Sequence, residues 1–327
     1  MSTANLEYTD NVAERIIHLM SDQALENNGV PTIAHHKFKI DLFNIHAKAL
    51  HYTFHKLFDV IPADTPTLLE EAHRVRYQVF CLEHKNYEDP ADHPDGLERD
   101  RYDSHSSHAL VIHRKSGQAI GTVRVILPNE YDLMNSFPLQ QLCDHPSLKD
   151  PNHIRNACEI SRMAIKREFQ MDMIRSCKKN FRSLFKYDEK YNLGVLDKML
   201  MCSGVHLAPM GLVRGMFMQA LLNGRTEGFG IMEPRFIKTL QHIGFVMEPI
   251  GSEIDYHGKR VPFKFNISDI FNHAMQANQS TWNVVTGKGQ LHELAHYVDR
   301  RQSRDRRSQH IAVTNDRRSG ARRTDNG

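Results

Sequence analysis

The sequence has few cysteines, five in 327 residues, and they are far apart. No two of them form a CxxC pair, and their number is odd, which excludes a zinc ribbon and a disulfide framework as organising features. A reducing compartment is the default for such a chain, so we expect a cytoplasmic protein. The five positions are Cys81, Cys143, Cys158, Cys177 and Cys202.

Long apolar runs are also lacking. No stretch approaches the length that spans a membrane, and the acidic N-terminal sequence MSTANLEYTD lacks the basic start of a signal peptide. The net charge of +3 is too small to indicate a nucleic-acid-binding protein. Histidine is abundant, at 21 residues, but it forms no HExxH or similar spacing, so we predict no metal site.

The pattern of apolar residues and breakers predicts an α/β protein in four parts. These are a helical N-terminal extension (1–50), a catalytic-type domain (51–270), a C-terminal helical segment (271–299) and a disordered arginine-rich tail (300–327). We expect removal of everything after Tyr297 to leave activity intact. Strands are predicted at Thr53–Ile61, Ser107–His113, Ala119–Leu127, around Glu159, and at Gly228–Met232, Phe245–Ile250 and Val261–Ile267.

The most informative stretch is CEISRMAIKR, Cys158–Arg167, which reads as a short strand. Regular alternation would place Glu159 and Ser161 on one face and Ile160 and Arg162 on the other, and a bulge would re-aim one of them. A structural ion pair at a sheet edge is the simplest interpretation of this stretch alone.

Other charges in apolar surroundings favour a functional site over a purely structural pair. Three cations and three anions fall on a predicted helix, a long polar loop and two strands, and such a set can neutralise itself and hold a loop over a cleft. Its members are Arg76, Asp100, Asp103, Arg124, Glu159 and Arg162.

Four motifs in order carry a family resemblance: RYQVF at Arg76–Phe80, ERDRYD at Glu98–Asp103, GTVR at Gly121–Arg124 and EISR at Glu159–Arg162. Together they resemble the acyl-homoserine-lactone synthases. The run IMEPRFIKTLQHIGFVMEPIG, Ile231–Gly251, is closer to a sister family, the exosortase-system (PEP-CTERM) associated acyltransferases, which resemble N-acyl amino acid synthases.

The resemblance implies a GNAT-like fold, with a central mixed sheet splayed between two strands where a thioester arm enters. It also implies an acyltransferase that moves a fatty acyl group from a phosphopantetheine thioester to the amine of an amino acid-type acceptor, without a permanently bound cofactor. The family positions matched by this chain are Arg76, Phe80, Asp100, Asp103, Arg124, Glu159 and Arg162.

Two departures from related enzymes refine the expectation. No tryptophan follows shortly after Phe80, which argues against S-adenosylmethionine as the acceptor and hence against lactone synthesis. No glycine-rich turn follows the Glu159 strand, which disfavours a coenzyme A pyrophosphate and favours an acyl carrier protein. A lactone synthase, a non-catalytic acyl-chain or carrier-protein binding module and a nucleic-acid binder acting through the tail are the alternatives.

The chemistry requires a neutral amine and a stabilised oxyanion. We expect Glu159 to act as the base, directly or through water, with Ser161 and Arg162 beside it. Strand amides near Ser161–Met163 are the expected oxyanion donors, and Cys158 is expected to be a core residue.

A basic run after the Glu159 strand suggests a docking surface for an acidic carrier protein, with a solvated helix face as the alternative. The tail or the lipid-like product offers a route to peripheral membrane association. The docking residues are Lys166, Arg167, Arg175, Lys178, Lys179 and Arg182.

Overall fold

The structure is a computed structural model, and it describes residues 50–84, 87–184, 204–242 and 244–303. The predicted N-terminal helices before residue 50 and the tail beyond 303 lie outside the described residues.

The described chain alternates helices and strands. The strands are β1 (Phe58–Pro62), β2 (Ser106–His113), β3 (Gln118–Ile126), β4 (Ala157–Ile165), β5 (Glu227–Met232), β6 (Glu248–Pro249), β7 (Ile254–Asp255) and β8 (Lys259–Asn266). The main helices are α1 (50–57), α2 (Pro66–Arg76), α3 (Arg167–Leu184), α4 (Gly204–Leu222), α5 (Pro234–His242), α6 (Ile267–Ala277), α7 (Gln279–Thr286) and α8 (290–303). Short helices, Leu139–Leu142 and Pro151–Asn156, precede β4.

The strands form one open mixed sheet in the order β1-β2-β3-β4-β5-β8-β6, with β7 beside β8. All pairings are antiparallel except β4 with β5, which is parallel. The β4–β5 register ends at Ile160 opposite Gly230, whereas β4 stays paired with β3 as far as Ile165. The two strands therefore part beyond Ile160, and this parting is the opening that the fold prediction required.

Helix α4 covers one face of β1–β3. It is apolar nearly all round because the sheet lies on one side and α7 packs on the other. Val123, Val125 and Ile160 meet Phe217 in the main core cluster.

Helix α2 packs on the opposite face. The Thr65 hydroxyl accepts a hydrogen bond from the Leu68 amide at 3.3 Å, and Pro66 occupies the first helical turn, as the sequence predicts. The chain does not stop at Arg76 but continues as wide π-helical turns, Tyr77–Glu83, a conformation that is frequent at functional sites.

The prediction of a strand at Thr53–Ile61 is wrong over its first half. Residues 50–57 are helical, because this conformation buries Phe54 against Phe58, the first residue of β1, in the same apolar cluster. The predicted strand Phe245–Ile250 shrinks to Glu248–Pro249.

The C-terminal segment holds more structure than its charges suggest. Val298 is buried in the main core, Ser268 donates a hydrogen bond to the Asp299 carboxylate at 2.5 Å, and Gln302 donates to the Gly224 carbonyl at 2.7 Å. Helix α8 therefore runs through residues 300–303, which the sequence assigned to the disordered tail. A truncation after Tyr297 would remove these contacts, and the expectation that it leaves activity intact stays a prediction. None of the described helices has the combined length and apolar character needed to cross a membrane.

Candidate active site

A β-bulge in β4 organises the site. The register of β3 with β4 shifts between Thr122 and Arg124, so that Val123 faces both Arg162 and Met163. Arg162 takes up the extra residue with a φ of +49°, a conformation that is uncommon outside glycine. Neither Arg162 nor Met163 has a ladder partner on β3 or β5 in the described register.

The bulge corrects the predicted alternation of side chains. Ile160 packs in the core under α4, but Arg162 turns to the opposite face, where Ser161 also lies. Arg124 connects β4 to the polar loop before β2. It donates to the Ser161 hydroxyl at 2.9 Å and to the Asp100 carboxylate at 2.6 Å.

Arg76 is the fully buried cation at the centre of the network, with no exposed side-chain surface. Its Nε donates to Glu98 at 2.5 Å, and its two terminal nitrogens donate to both oxygens of Asp103 at 2.6 and 3.0 Å. Arg124 donates to Asp103 as well, at 3.0 Å. The Asp103 carboxylate thus links Arg76 of α2 to Arg124 of β3.

Asp100 and Asp103 also shape the loop that carries them. Asp100 accepts from the Tyr102 amide at 2.9 Å, and Asp103 accepts from the Asp100 amide at 2.7 Å, which forms a reciprocal cap on the turn Arg101–His105. The same side chains therefore fold the loop and neutralise the buried arginines.

Arg162 completes the network from β4. Its guanidinium donates to Glu98 at 3.1 and 3.2 Å, to Glu88 at 2.6 Å and to Asp100 at 3.4 Å. Burial alone would lower the pKa of Arg162, but the nearby carboxylates, Glu98 first, raise it. Arg162 is a permanent cation held at the edge of the opening.

Glu98 and Glu88 are the two network members that sequence reasoning missed. Glu98 lies in the quoted ERDRYD motif, two residues before Asp100, and an extended segment would place the two side chains on one side. Burial would raise the pKa of Glu98, yet hydrogen bonds and charge from Arg76 and Arg162 outweigh it and lower the pKa to about 2. No sequence signal distinguishes Glu88 from the other acids of its loop.

Glu159 lies apart from these ion pairs, in apolar surroundings. Its cross-strand neighbours are Ile126 and Phe229, and one carboxylate oxygen accepts from the Leu139 amide at 3.0 Å. Burial raises the pKa of Glu159 to about 7, against the lowering influence of the Leu139 amide and of Arg124. A carboxyl group with this pKa can exchange a proton near neutrality, as a general base must.

Two buried histidines, His73 and His108, lie against Asp103. Their nitrogens and an Asp103 oxygen lie within 4.8 Å of one another, a spacing that could hold a metal ion. That oxygen, however, already accepts from Arg76 and Arg124, and two guanidinium charges oppose a bound cation. Burial, and then Arg76, lowers the pKa of His73 to about 4, so the ring is neutral near pH 7.

Aromatic rings line the outer side of Arg162. Phe80 stacks on Tyr87 at 4.8 Å between ring centroids, and the guanidinium lies 5.4 Å and 5.9 Å from these two rings. Tyr87 stacks in turn on His257 at 4.1 Å, with the ring planes 18° apart. His257 comes from the tight turn between β7 and β8, on the far side of the β4–β5 parting.

Cys158 behaves as the predicted core residue. Its thiol is fully buried, and burial raises its pKa to about 12, so a nucleophilic thiolate is not available.

The proposed docking residues begin just after the C-terminal end of β4 and continue along α3. Lys166 lies 3.7 Å from Glu71, and Arg175, on α3, pairs with Asp172 at 3.1 Å. Arg167 begins α3, and its amide donates to Glu83 at 2.9 Å. Lys178, Lys179 and Arg182 continue α3, but their side chains lie outside the described part of the structure.

Residues 75–177 match the family model of the acetyltransferase (GNAT) domain. This segment runs from the end of α2 into α3 and contains every member of the ion network as well as Glu159. The comparison with curated protein sequences gave no match.

Among solved structures, three similar chains are of note. TofI in a ternary complex with an inhibitor and MTA is 17% identical, with 69% of this chain and 99% of that chain covered and a TM-score of 0.41. BjaI, a CoA-dependent acyl-homoserine lactone synthase with MTA, is 19% identical, with 71% and 88% covered and a TM-score of 0.41. FeeM, an N-acyl amino acid synthase from uncultured soil microbes, is 11% identical, with 67% and 96% covered and a TM-score of 0.40.

The family match covers β2, β3 and β4 of an open mixed sheet flanked by helices, and β4 parts from its parallel neighbour β5 beside a bulge. The predicted GNAT-like fold is thereby confirmed, and so is the prediction that the chain is an acyltransferase.

Proposed function

We propose that this acyltransferase moves a fatty acyl group from a carrier thioester to the amine of an amino acid-type acceptor, giving an N-acyl amino acid. The observation that carries the proposal is the position of Glu159. This carboxyl group, with a pKa raised to about 7, lies on the strand whose bulge faces the β4–β5 opening, two residues before Ser161.

In this mechanism the thioester carbonyl lies at the bulge. The amides of Arg162 and Met163, which lack ladder partners in the described register, face the developing oxyanion. Glu159 takes one proton from the acceptor ammonium, directly or through water, and the neutral amine attacks the thioester carbonyl. The C–S bond then breaks as the amide forms, and the second proton of the nitrogen passes to the departing thiolate, which leaves as the carrier thiol. Arg124 fixes Ser161 beside this carboxyl through the 2.9 Å bond.

The motif run Ile231–Gly251 supports an acyltransferase of the PEP-CTERM/exosortase-associated type, acting in the cytoplasm. The test is lipid mass spectrometry of cells that express the chain, with the Glu159→Gln variant as control. An N-acyl amino acid present with the wild type and missing with the variant is the expected result. An acyl-homoserine lactone in its place would identify the lactone synthase alternative, and no new acyl product would contradict the proposal.

For the donor we propose an acyl carrier protein that docks on the basic residues of α3. Charge reversal at Lys178 and Lys179 should lower kcat/KM for an acyl carrier protein and weaken its salt dependence. An acyl-pantetheine, too small to reach these residues, should be used as before. Equal effects on both donors, or none on either, would contradict docking.

A further inference from the structure

The ring pair Tyr87–His257 bridges the two sides of the β4–β5 opening. Tyr87 belongs to the loop that packs on β4 through Phe80 and Arg162, whereas His257 belongs to the turn that leads into β8. β8 is the neighbour of β5. The stacked rings therefore connect elements on opposite sides of the place where the sheet parts.

The turn that carries His257 is under conformational constraint. His257 has a φ of +51° and the following Gly258 has a φ of +96°. The Tyr256 amide closes the turn by donating to the Gly258 carbonyl at 2.9 Å. A non-glycine residue with positive φ costs free energy, so the ring is presented at a defined place rather than by a freely rotating loop.

Glu88, next to Tyr87, is a partly exposed partner of Arg162. Its side chain is 25% exposed, as is that of Asp100, whereas those of Glu98 and Arg162 are 1% and 9% exposed. Asp100 also pairs with Arg124, whereas Glu88 pairs with Arg162 alone among the described residues. Glu88 holds one Arg162 nitrogen at 2.6 Å, and its own amide donates to the Phe80 carbonyl at 3.2 Å. Because Tyr87 and Glu88 are adjacent in the chain, a displacement of the Tyr87–Glu88 backbone away from His257 would also draw Glu88 away from Arg162.

The charges of the network allow such an exchange. Three guanidiniums, of Arg76, Arg124 and Arg162, contact four carboxylates, of Glu88, Glu98, Asp100 and Asp103. Replacing the Glu88 carboxylate by one from a ligand keeps the charge of the network unchanged and leaves no buried cation unpaired.

We infer that Glu88 occupies the place of a substrate carboxylate, and that the segment Tyr87–Glu88, latched by His257, is displaced when an acceptor with a free carboxylate binds to Arg162. This assignment rests on the proposed function, because it names the acceptor class as an amino acid with its α-carboxylate intact. Arg162 is then the specificity-determining residue, and Tyr87 and His257 control access to it.

The experiment compares binding of octanoyl-glycine and octanoyl-glycinamide by calorimetry to the purified full-length chain. Glu88→Gln removes the competing charge, so octanoyl-glycine should bind about tenfold more tightly than to the wild type, with binding of the amide unchanged. His257→Ala removes the stack and should tighten binding of octanoyl-glycine by about threefold. The matched controls are Asp95→Asn, in the same loop but paired with Arg99, and Lys259→Ala, the residue of β8 that follows the turn. Neither control should change the binding of either ligand.

Weaker binding of octanoyl-glycine to Glu88→Gln, equal changes for acid and amide, or no binding to either protein would each overturn the inference. The proposed function fails separately. If expressing cells make no N-acyl amino acid while Glu88→Gln still binds the acid more tightly, the carboxylate site stands and the reaction is wrong. If product forms but acid and amide bind alike, the reaction stands and the latch is wrong.

Discussion

Two buried carboxylates in different regions of this protein behave in opposite ways. Glu98 lies between α2 and β4 with two guanidiniums on its oxygens, and its pKa falls to about 2. Glu159 lies in an apolar region between Ile126 and Phe229 with one backbone amide on it, and its pKa rises to about 7. Nearly complete burial is common to both, so the partners decide whether a carboxylate serves the fold or remains able to exchange a proton.

The largest expected effect comes from removing the cation that pairs with Glu98. Arg76→Met should lower the free energy of unfolding by about 3–5 kcal/mol, because Glu98 and Asp103 would remain charged in a dry environment. Urea unfolding followed by circular dichroism measures the change. The matched control is Arg74→Met, an exposed neighbour on α2 paired with Glu70, which should cost less than about 1 kcal/mol. Equal losses in the two variants would show that the network is no more than a set of surface pairs.

The second expected effect concerns catalysis at Glu159. Glu159→Gln keeps the side-chain volume and an acceptor for the Leu139 amide but removes the base, so turnover should fall by about 100-fold with the fold retained. Turnover of acyl-pantetheine with amino acid acceptors at pH 7 is the measurement. Retention of wild-type kcat would exclude Glu159 as the base and leave its raised pKa without a catalytic role.

The two carboxylates also predict opposite dependences of stability on pH. The folded-state pKa of Glu98 is lowered, so its contribution is present above about 4.5 and is lost as the pH falls toward 2. The folded-state pKa of Glu159 is raised, so its contribution is present below about 4.5 and is lost as the pH rises through 7.

Glu159→Gln should therefore gain stability relative to the wild type as the pH rises from 5 to 8, by about 2–3 kcal/mol, and show little difference at pH 4. Urea midpoints for both proteins across this range provide the test. A difference that does not change with pH would show that Glu159 titrates normally in the folded protein.

The smallest expected effect lies at the rim of the network. Glu88→Gln should change the free energy of unfolding by less than about 1 kcal/mol, because its side chain is a quarter exposed and Arg162 keeps Glu98 and Asp100. Thermal unfolding measures it, with Asp95→Asn as the reference. A loss as large as that of Arg76→Met would mean that Glu88 belongs to the fold and cannot act as a displaceable group.

The sequence was sufficient for the hairpin and for most of the charged cluster. Ser107–His113 differs from β2 by one residue at its start, and Ala119–Leu127 differs from β3 by one residue at each end, because alternation and the intervening turn are local signals. The cap of α2 at Thr65 was also predictable from the sequence, because it depends only on residues close to Thr65 in the chain. Arg76, Asp100, Asp103, Arg124 and Arg162 do come together, as their common burial in the sequence pattern suggested.

The remainder depended on tertiary structure. Arg162 changes face because of one extra residue in β4, and a register shift leaves no trace in composition. The helical conformation of residues 50–57 depends on the cluster that Phe54 and Phe58 enter, and α8 depends on the packing of Val298 among residues distant in sequence. His257 reaches the site only because β7 and β8 fold back beside β5.

The seam between β4 and β5 has a consequence for how the molecule comes apart. The two strands share a register of four residue pairs, Ala157–Ile160, and the chain that joins them must make a long excursion through α3 and α4. β2 with β3 and β5 with β8 are longer antiparallel ladders. Closing a long connection for few contacts returns little free energy, so the sheet is expected to open along this seam in partial unfolding events, with each half remaining folded. Amides on the facing edges of β4 and β5 should then exchange with deuterium sooner than those between β2 and β3. The cleft that admits substrate would also be the place where the sheet first separates during unfolding.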